Sequence, residues 1–199
     1  MIETLFSRRA LLGVGTSALL AGLAPRPTLA QQSLLPATPE CRDGDEPTPR
    51  QTEGPFFTPN SPERASLVEA GMAGERISLA GFVLDRRCRP VPGALLDLWH
   101  CDATGQYDNQ GYRLRGHQFS DADGRFAFET IVPGRYPGRT RHYHIKVQAP
   151  GRNILTTQLY FPGEPGNERD RIFDGALLLD IKQDAAMKLG RYDFVLDLG

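Results

Sequence analysis

From Arg76 onward, short apolar runs alternate with turn signals every eight to fifteen residues. The runs are Ile77–Leu84, Ala94–Cys101, Arg125–Glu129, His142–Gln148, Leu155–Phe161, Ala176–Ile181 and Tyr192–Leu198. Between them lie Arg89–Gly93, Asp121–Gly124, Pro133-Gly134 and Pro162-Gly163. No segment holds a helical apolar period for more than about two turns, so long helices are excluded. Short strands at this spacing predict an all-β fold, a β-sandwich of two mostly antiparallel sheets with long loops. Leu84–Val91 reads as a hairpin or turn, and single helical turns are expected within 164–175 and Asp184–Lys188. With 199 residues and no internal repeat, one core is expected.

The first thirty residues read as an export signal and not as part of this core. Arg8 and Arg9 precede an apolar stretch reaching about Leu23, and Thr28-Leu29-Ala30 is a small-residue cleavage site. The arginine pair followed by Leu11 resembles the twin-arginine signal, which a receptor reads and which does not anchor the protein. Export to the periplasm or cell exterior follows as an expectation. Loss of Arg8, Arg9, Arg26 and Glu3 would move the formal charge from −1 to −3. That balance gives no basis for nucleic-acid binding, and the mature chain has no apolar run long enough for a membrane anchor. Residues 31–51 read as an extended arm, and Thr52–Pro59 as a loop packed on the domain that spans 52–199. The three cysteines, Cys41, Cys88 and Cys101, are an odd number whose pairing the sequence leaves open.

The chemistry concentrates around Tyr136–His144. His142 and His144 stand at i and i+2 in a run of strand formers, so both imidazoles share one face, roughly 6.6 Å apart along the backbone. Tyr143, Ile145 and Val147 then face the other way. Alone, such a pair is more often surface decoration than a metal site. Further motifs change the balance: Pro92–Asp108 (PGALLDLWHCDATGQYD), Tyr112–Gly116, Pro133–Pro137, Arg139-x-x-His142-x-His144 and Thr156–Gly163. In order and spacing they resemble the intradiol ring-cleavage dioxygenases, over roughly residues 52–198.

The resemblance implies a single non-haem Fe(III) per chain held by Tyr107, Tyr136, His142 and His144, with a solvent hydroxide. It implies a catechol and O2 as reactants, ring opening between the two hydroxyl-bearing carbons, and a muconate-type dicarboxylate as product. Tyr136 and the hydroxide would leave as substrate binds and take its two phenolic protons. Arg139 would stabilise charge developing on the ring, Gln158 would orient a ligand, and Gly54, Pro55, Phe56 and Trp99 would line the pocket. Chemistry agrees with this donor set, because hard Fe(III) favours anionic oxygen whereas zinc favours Cys, His and carboxylate. Two tyrosinates and one hydroxide would also neutralise the ion in a buried site. One departure is Cys88, which stands where the family pattern usually has glycine and puts the local turn shape in question.

His100 and His117 are expected to be satisfied locally, Asp121 and Asp123 to form a turn, and Arg141 to be solvated. A non-catalytic transthyretin-like binding protein and a zinc hydrolase built on the histidine pair are the rival readings. Which catechol is used is not written in the sequence, and a homo-oligomer stays open.

Overall fold

The computed structural model describes residues 46–183 and 187–199. The export signal, the first part of the arm and the first three residues of the turn expected at Asp184–Lys188 lie outside them. Nine strands form in chain order: β1 (Arg76–Asp85), β2 (Leu95–Trp99), β3 (Arg115–Phe119), β4 (Arg125–Ile131), β5 (His142–Gln148), β6 (Leu155–Tyr160), β7 (Asp180–Gln183), β8 (Lys188–Arg191) and β9 (Phe194–Leu196). One sheet runs β4-β1-β8-β7 with β9 also paired to β1; the other runs β3-β2-β5-β6 and is wholly antiparallel.

Period-2 alternation makes the sandwich. Ile77, Leu79 and Val83 of β1 meet Leu96 and Leu98 of β2 and Tyr143, Ile145 and Val147 of β5 in one buried cluster. The opposite face of β1 carries Ala80, Phe82 and Leu84, a smaller cluster with Ala127. Arg125 and Arg191 lie over the Phe82 ring and cover it. Strand β1 changes partner midway, from β8 at Ile77–Ala80 to β9 at Val83–Asp85. Gly81 sits at the change because a Cβ there would come within 1.7 Å of the Tyr192 carbonyl.

The expected runs match six strands, and two strands have no such run. β3 (RGHQF) and β8 (KLGR) are too polar to read as strands, yet pairing with β2, β1 and β7 orders them. The run Ala176–Ile181 is corrected. Asp174 caps a 3-10 turn at Gly175–Leu177 by accepting from Ala176 N, and the strand starts only at Asp180. A second 3-10 turn covers Asn167–Arg169. The Leu84–Val91 turn forms as expected, with Asp85 N donating to Arg89 O and Cys88 at φ 56°. Cys88 thus adopts the left-handed conformation that glycine takes without strain. It is disulfide-bonded, to a partner outside the described residues, while Cys101 is a buried free thiol.

Residues 46–67 strap the sandwich. Thr48 bonds to Val195, Gln51 N donates to Thr156 O on β6, Arg64 N to His117 O on β3, and Leu67 N to Glu129 O on β4. The strap closes three exposed strand flanks and crosses the outer face of the second sheet, where the chemistry-bearing side chains stand.

Candidate metal centre

Register places the site. His144 pairs across with Trp99 on β2 and Gln158 on β6, and His142 pairs with Tyr160. These side chains share the face away from the core, while Tyr143 is buried in the core and donates to Ile131 O at 2.9 Å. The tyrosines arrive on loops. In the first loop, Asp102 accepts from Thr104 N and Gln106 N, and Asp108 accepts from Gln110 N, Gly111 N and Arg113 N. These two Asx turns flank Tyr107 on either side. The second loop, Pro133–Arg139, carries Tyr136. The loops meet backbone to backbone through glycine. A Cβ on Gly105 would lie 2.4 Å from Arg135 O, and one on Gly134 would lie 2.4 Å from Gly105 N.

Three polar atoms converge. Tyr107 Oη lies 3.1 Å from His144 Nε2 and 3.5 Å from His142 Nε2, and the two Nε2 atoms are 3.1 Å apart. Tyr136 joins them at ring level, its centroid 5.8 Å from that of Tyr107. The structure therefore brings together all four residues named as metal ligands from the sequence.

His142 Nδ1 donates to Thr140 O at 2.7 Å, so its Nε2 carries a lone pair. Burial pushes His142 down to about 4 and holds His144 well below the usual histidine range, so both rings are neutral. The two Nε2 atoms face each other at 3.1 Å, and His144 Nδ1 is buried without a partner, so no bond from that nitrogen fixes the tautomer and Nε2 is free to present a lone pair to a cation. Burial meanwhile raises Tyr107 above its ordinary value, so ionising it requires a strong positive charge beside it. Donors about 2.1 Å from a common ion and at right angles to one another would stand about 3.0 Å apart, close to the separations found here. The donor set fits a metal cation, and its oxygen and nitrogen composition fits Fe(III). Among the described residues no group of three His, Cys, Asp or Glu gathers, which leaves a zinc site of the usual composition without support.

The surrounding residues are placed as follows. Arg139 donates from Nε to Asp170 Oδ2 at 2.8 Å and from Nη2 to Gln158 Oε1 at 2.7 Å, so its guanidinium is fixed. Burial would raise Asp170, but bonds from Thr140 N, Arg139 and Ile172 N outweigh it and hold the carboxyl below its usual range. Gln158 is corrected in its partners: it makes no hydrogen bond to a proposed ligand, and instead its oxygen accepts from Arg139 and Tyr160 Oη while its nitrogen donates to Thr52 O at 3.0 Å. Trp99 is corrected too. It is 1% exposed and stacked on His144 at 5.0 Å, so it braces that ring rather than lining open space. Gly54 passes directly over His144, with φ +71° and room for a Cβ only 3.3 Å from Cε1. Phe56 stacks on Tyr107 at 4.4 Å and meets Tyr136 edge-on at 5.2 Å; Pro55 between them is exposed.

His100 is satisfied as expected, between Cys101 O and Thr130 Oγ1, and His117 meets Ser61 Oγ at 3.2 Å. Asp121 forms the expected turn by accepting from Asp123 N and Arg125 N. Arg141 is not simply solvated: it pairs with Glu164 at 2.9 Å and donates to Pro133 O, bracing the Tyr136 loop. Asp170 went unremarked in the sequence, and Arg115 appeared only within the motif Tyr112–Gly116, with no role given to it. Asp170 sits in a polar stretch without a motif, and Arg115 heads a strand that has no apolar signal.

A family model described as "Dioxygenase" matches residues 52–198. The dioxygenase domain of a dioxygenase carbohydrate-binding protein fusion from Streptomyces sp. SirexAA-E is 54% identical, with a TM-score of 0.76 over 77% of this chain and 100% of that one. Hydroxyquinol 1,2-dioxygenase from Pseudomonas putida DLL-E4 is 29% identical, with a TM-score of 0.69 over 78% of this chain and 68% of that one. Hydroxyquinol 1,2-dioxygenase of Nocardioides simplex is 35% identical over 60% of this chain and 49% of its own length. The chain thus spans about half the length of that curated relative.

Proposed function

Because the chain belongs to the intradiol dioxygenase family, we propose that it opens the ring of a catechol between its two hydroxyl-bearing carbons, using O2 and one non-haem ferric ion, to give a muconate-type dicarboxylate. The observation that carries this is the meeting of Tyr107 Oη with the Nε2 atoms of His142 and His144, beside Tyr136. Tyr107, Tyr136, His142 and His144 would hold the iron. Bound there, Fe(III) would draw electron density from a catecholate and make its ring reactive towards O2.

The chain's own residues supply the rest. Tyr136 is half-buried on a loop whose two ends are pinned, by Arg135 to Glu164 and by Arg139 to Asp170. In its ionised form Tyr136 would take a phenolic proton from the substrate. The Arg139 guanidinium needs no reorganisation to face charge appearing on the ring. Phe56, Pro55 and Gly54 would offer a wall against which a flat aromatic ring could lie. The N-terminal motif supports export, by the twin-arginine route, of a protein that has folded and taken up its metal.

Oxygen uptake with a panel of catechols, followed by product identification, tests the reading. A dicarboxylate from intradiol opening supports it. A semialdehyde product, or no uptake with iron bound, would sink it.

A further inference from the structure

Arg115 is 1% exposed, and among the described residues it forms no salt bridge. A buried cation without a carboxylate partner is costly and persists only where hydrogen bonds satisfy it. Its bonds go to two backbone carbonyls. Nε and Nη2 both donate to Asp108 O, at 3.0 and 2.7 Å, and Nη1 donates to Phe56 O at 2.6 Å. Asp108 O belongs to the residue after Tyr107. Its own carboxylate accepts from the amides of its loop, so the guanidinium hydrogen-bonds only the backbone there, with the carboxylate charge nearby. Arg64 in turn fixes the Arg115 carbonyl with Nε at 3.0 Å and Nη2 at 2.9 Å.

We propose that Arg115 is a positioning residue that locks the strap at Phe56 to the loop of Tyr107, and so sets the slot an aromatic substrate enters. The planar fork holds its acceptors in a fixed relation, which a flexible ammonium cannot do. One guanidinium therefore fixes the two backbones whose rings stack at 4.4 Å. The inference rests on reading Tyr107 as a metal ligand and Phe56 as the pocket wall, and it adds what keeps them in register.

The test compares the unaltered protein with Arg115→Lys, Phe56→Ala and the double variant. In metal-free protein, amide hydrogen exchange is expected to speed up at least tenfold in Arg115→Lys, together at residues 54–58 and 105–110, while exchange in β1 stays unchanged. Phe56→Ala should leave 105–110 as it was. If Phe56→Ala loosens 105–110 as much as Arg115→Lys does, ring stacking and not the guanidinium couples the segments, and the proposal falls. Unchanged exchange in Arg115→Lys overturns it as well. With iron bound, KM for catechol should rise about tenfold in Arg115→Lys with kcat altered less than threefold, and the KM effect should not multiply with that of Phe56→Ala. Multiplying effects would contradict it. If the unaltered protein binds no iron and cleaves no ring, the proposed function fails, while the exchange experiment still decides the role of Arg115.

Discussion

Gln158 shows how the place of a single side chain can be read from a sequence while its partners cannot. Strand register puts it opposite His144, as the motif implies, yet its amide reaches past the histidine to Arg139 and Thr52. Gln158→Leu is therefore expected to keep the iron content of the unaltered protein while kcat/KM falls about 10- to 100-fold, the range typical of lost outer-shell contacts. Loss of iron in that variant would mean that the glutamine serves a histidine after all. The four residues proposed as ligands could be named beforehand because the family resemblance carries them over by motif, and the structure gathers them. The supporting contacts could not: Asp170 and the Thr140 carbonyl act across the fold where no local pattern announces them, and the motif that holds Arg115 does not say what it bonds.

Elements meet where side chains are missing. Gly105 and Gly134 let the Tyr107 and Tyr136 loops share a backbone contact, and Gly134 N donates to Asp102 O at 2.8 Å. Gly134→Ala should separate the loops and weaken iron retention about tenfold, measured by chelator competition; an unchanged affinity would show the two loops to be independent. At Gly81 the obstacle to a side chain is the Tyr192 carbonyl itself, so Gly81→Ala is expected to cost about 3 kcal/mol in chemical denaturation. Strands with an apolar face could be seen in the sequence, and β5 was found to the residue. β3 and β8 could not, because partner strands and not their own composition order them. The positive φ of Cys88 keeps the turn that a glycine would have made.

On the scale of the whole molecule, one sandwich supports a polar outer face and a strap supplies its cover. Buried neutral histidines give this arrangement a pH signature. Burial pushes both His100 and His142 down to about 4 from an ordinary 6.5. The unfolded chain therefore binds protons first as pH falls below about 6.5, and the metal-free protein loses stability down through about 4. Its thermal midpoint should drop across that window, and His100→Gln, which removes none of the proposed ligands, should make the drop shallower. A profile unaltered by that substitution would place the proton uptake elsewhere. Whether Tyr107 and the histidine pair hold ferric iron is decided by metal analysis with a visible spectrum, on the unaltered protein and on Tyr107→Phe and His144→Ala. A red-brown protein with one iron per chain is expected, and loss of colour or iron in both variants. A colourless, iron-free but folded protein, a zinc protein, or variants that keep both iron and colour would contradict the proposed ligand set.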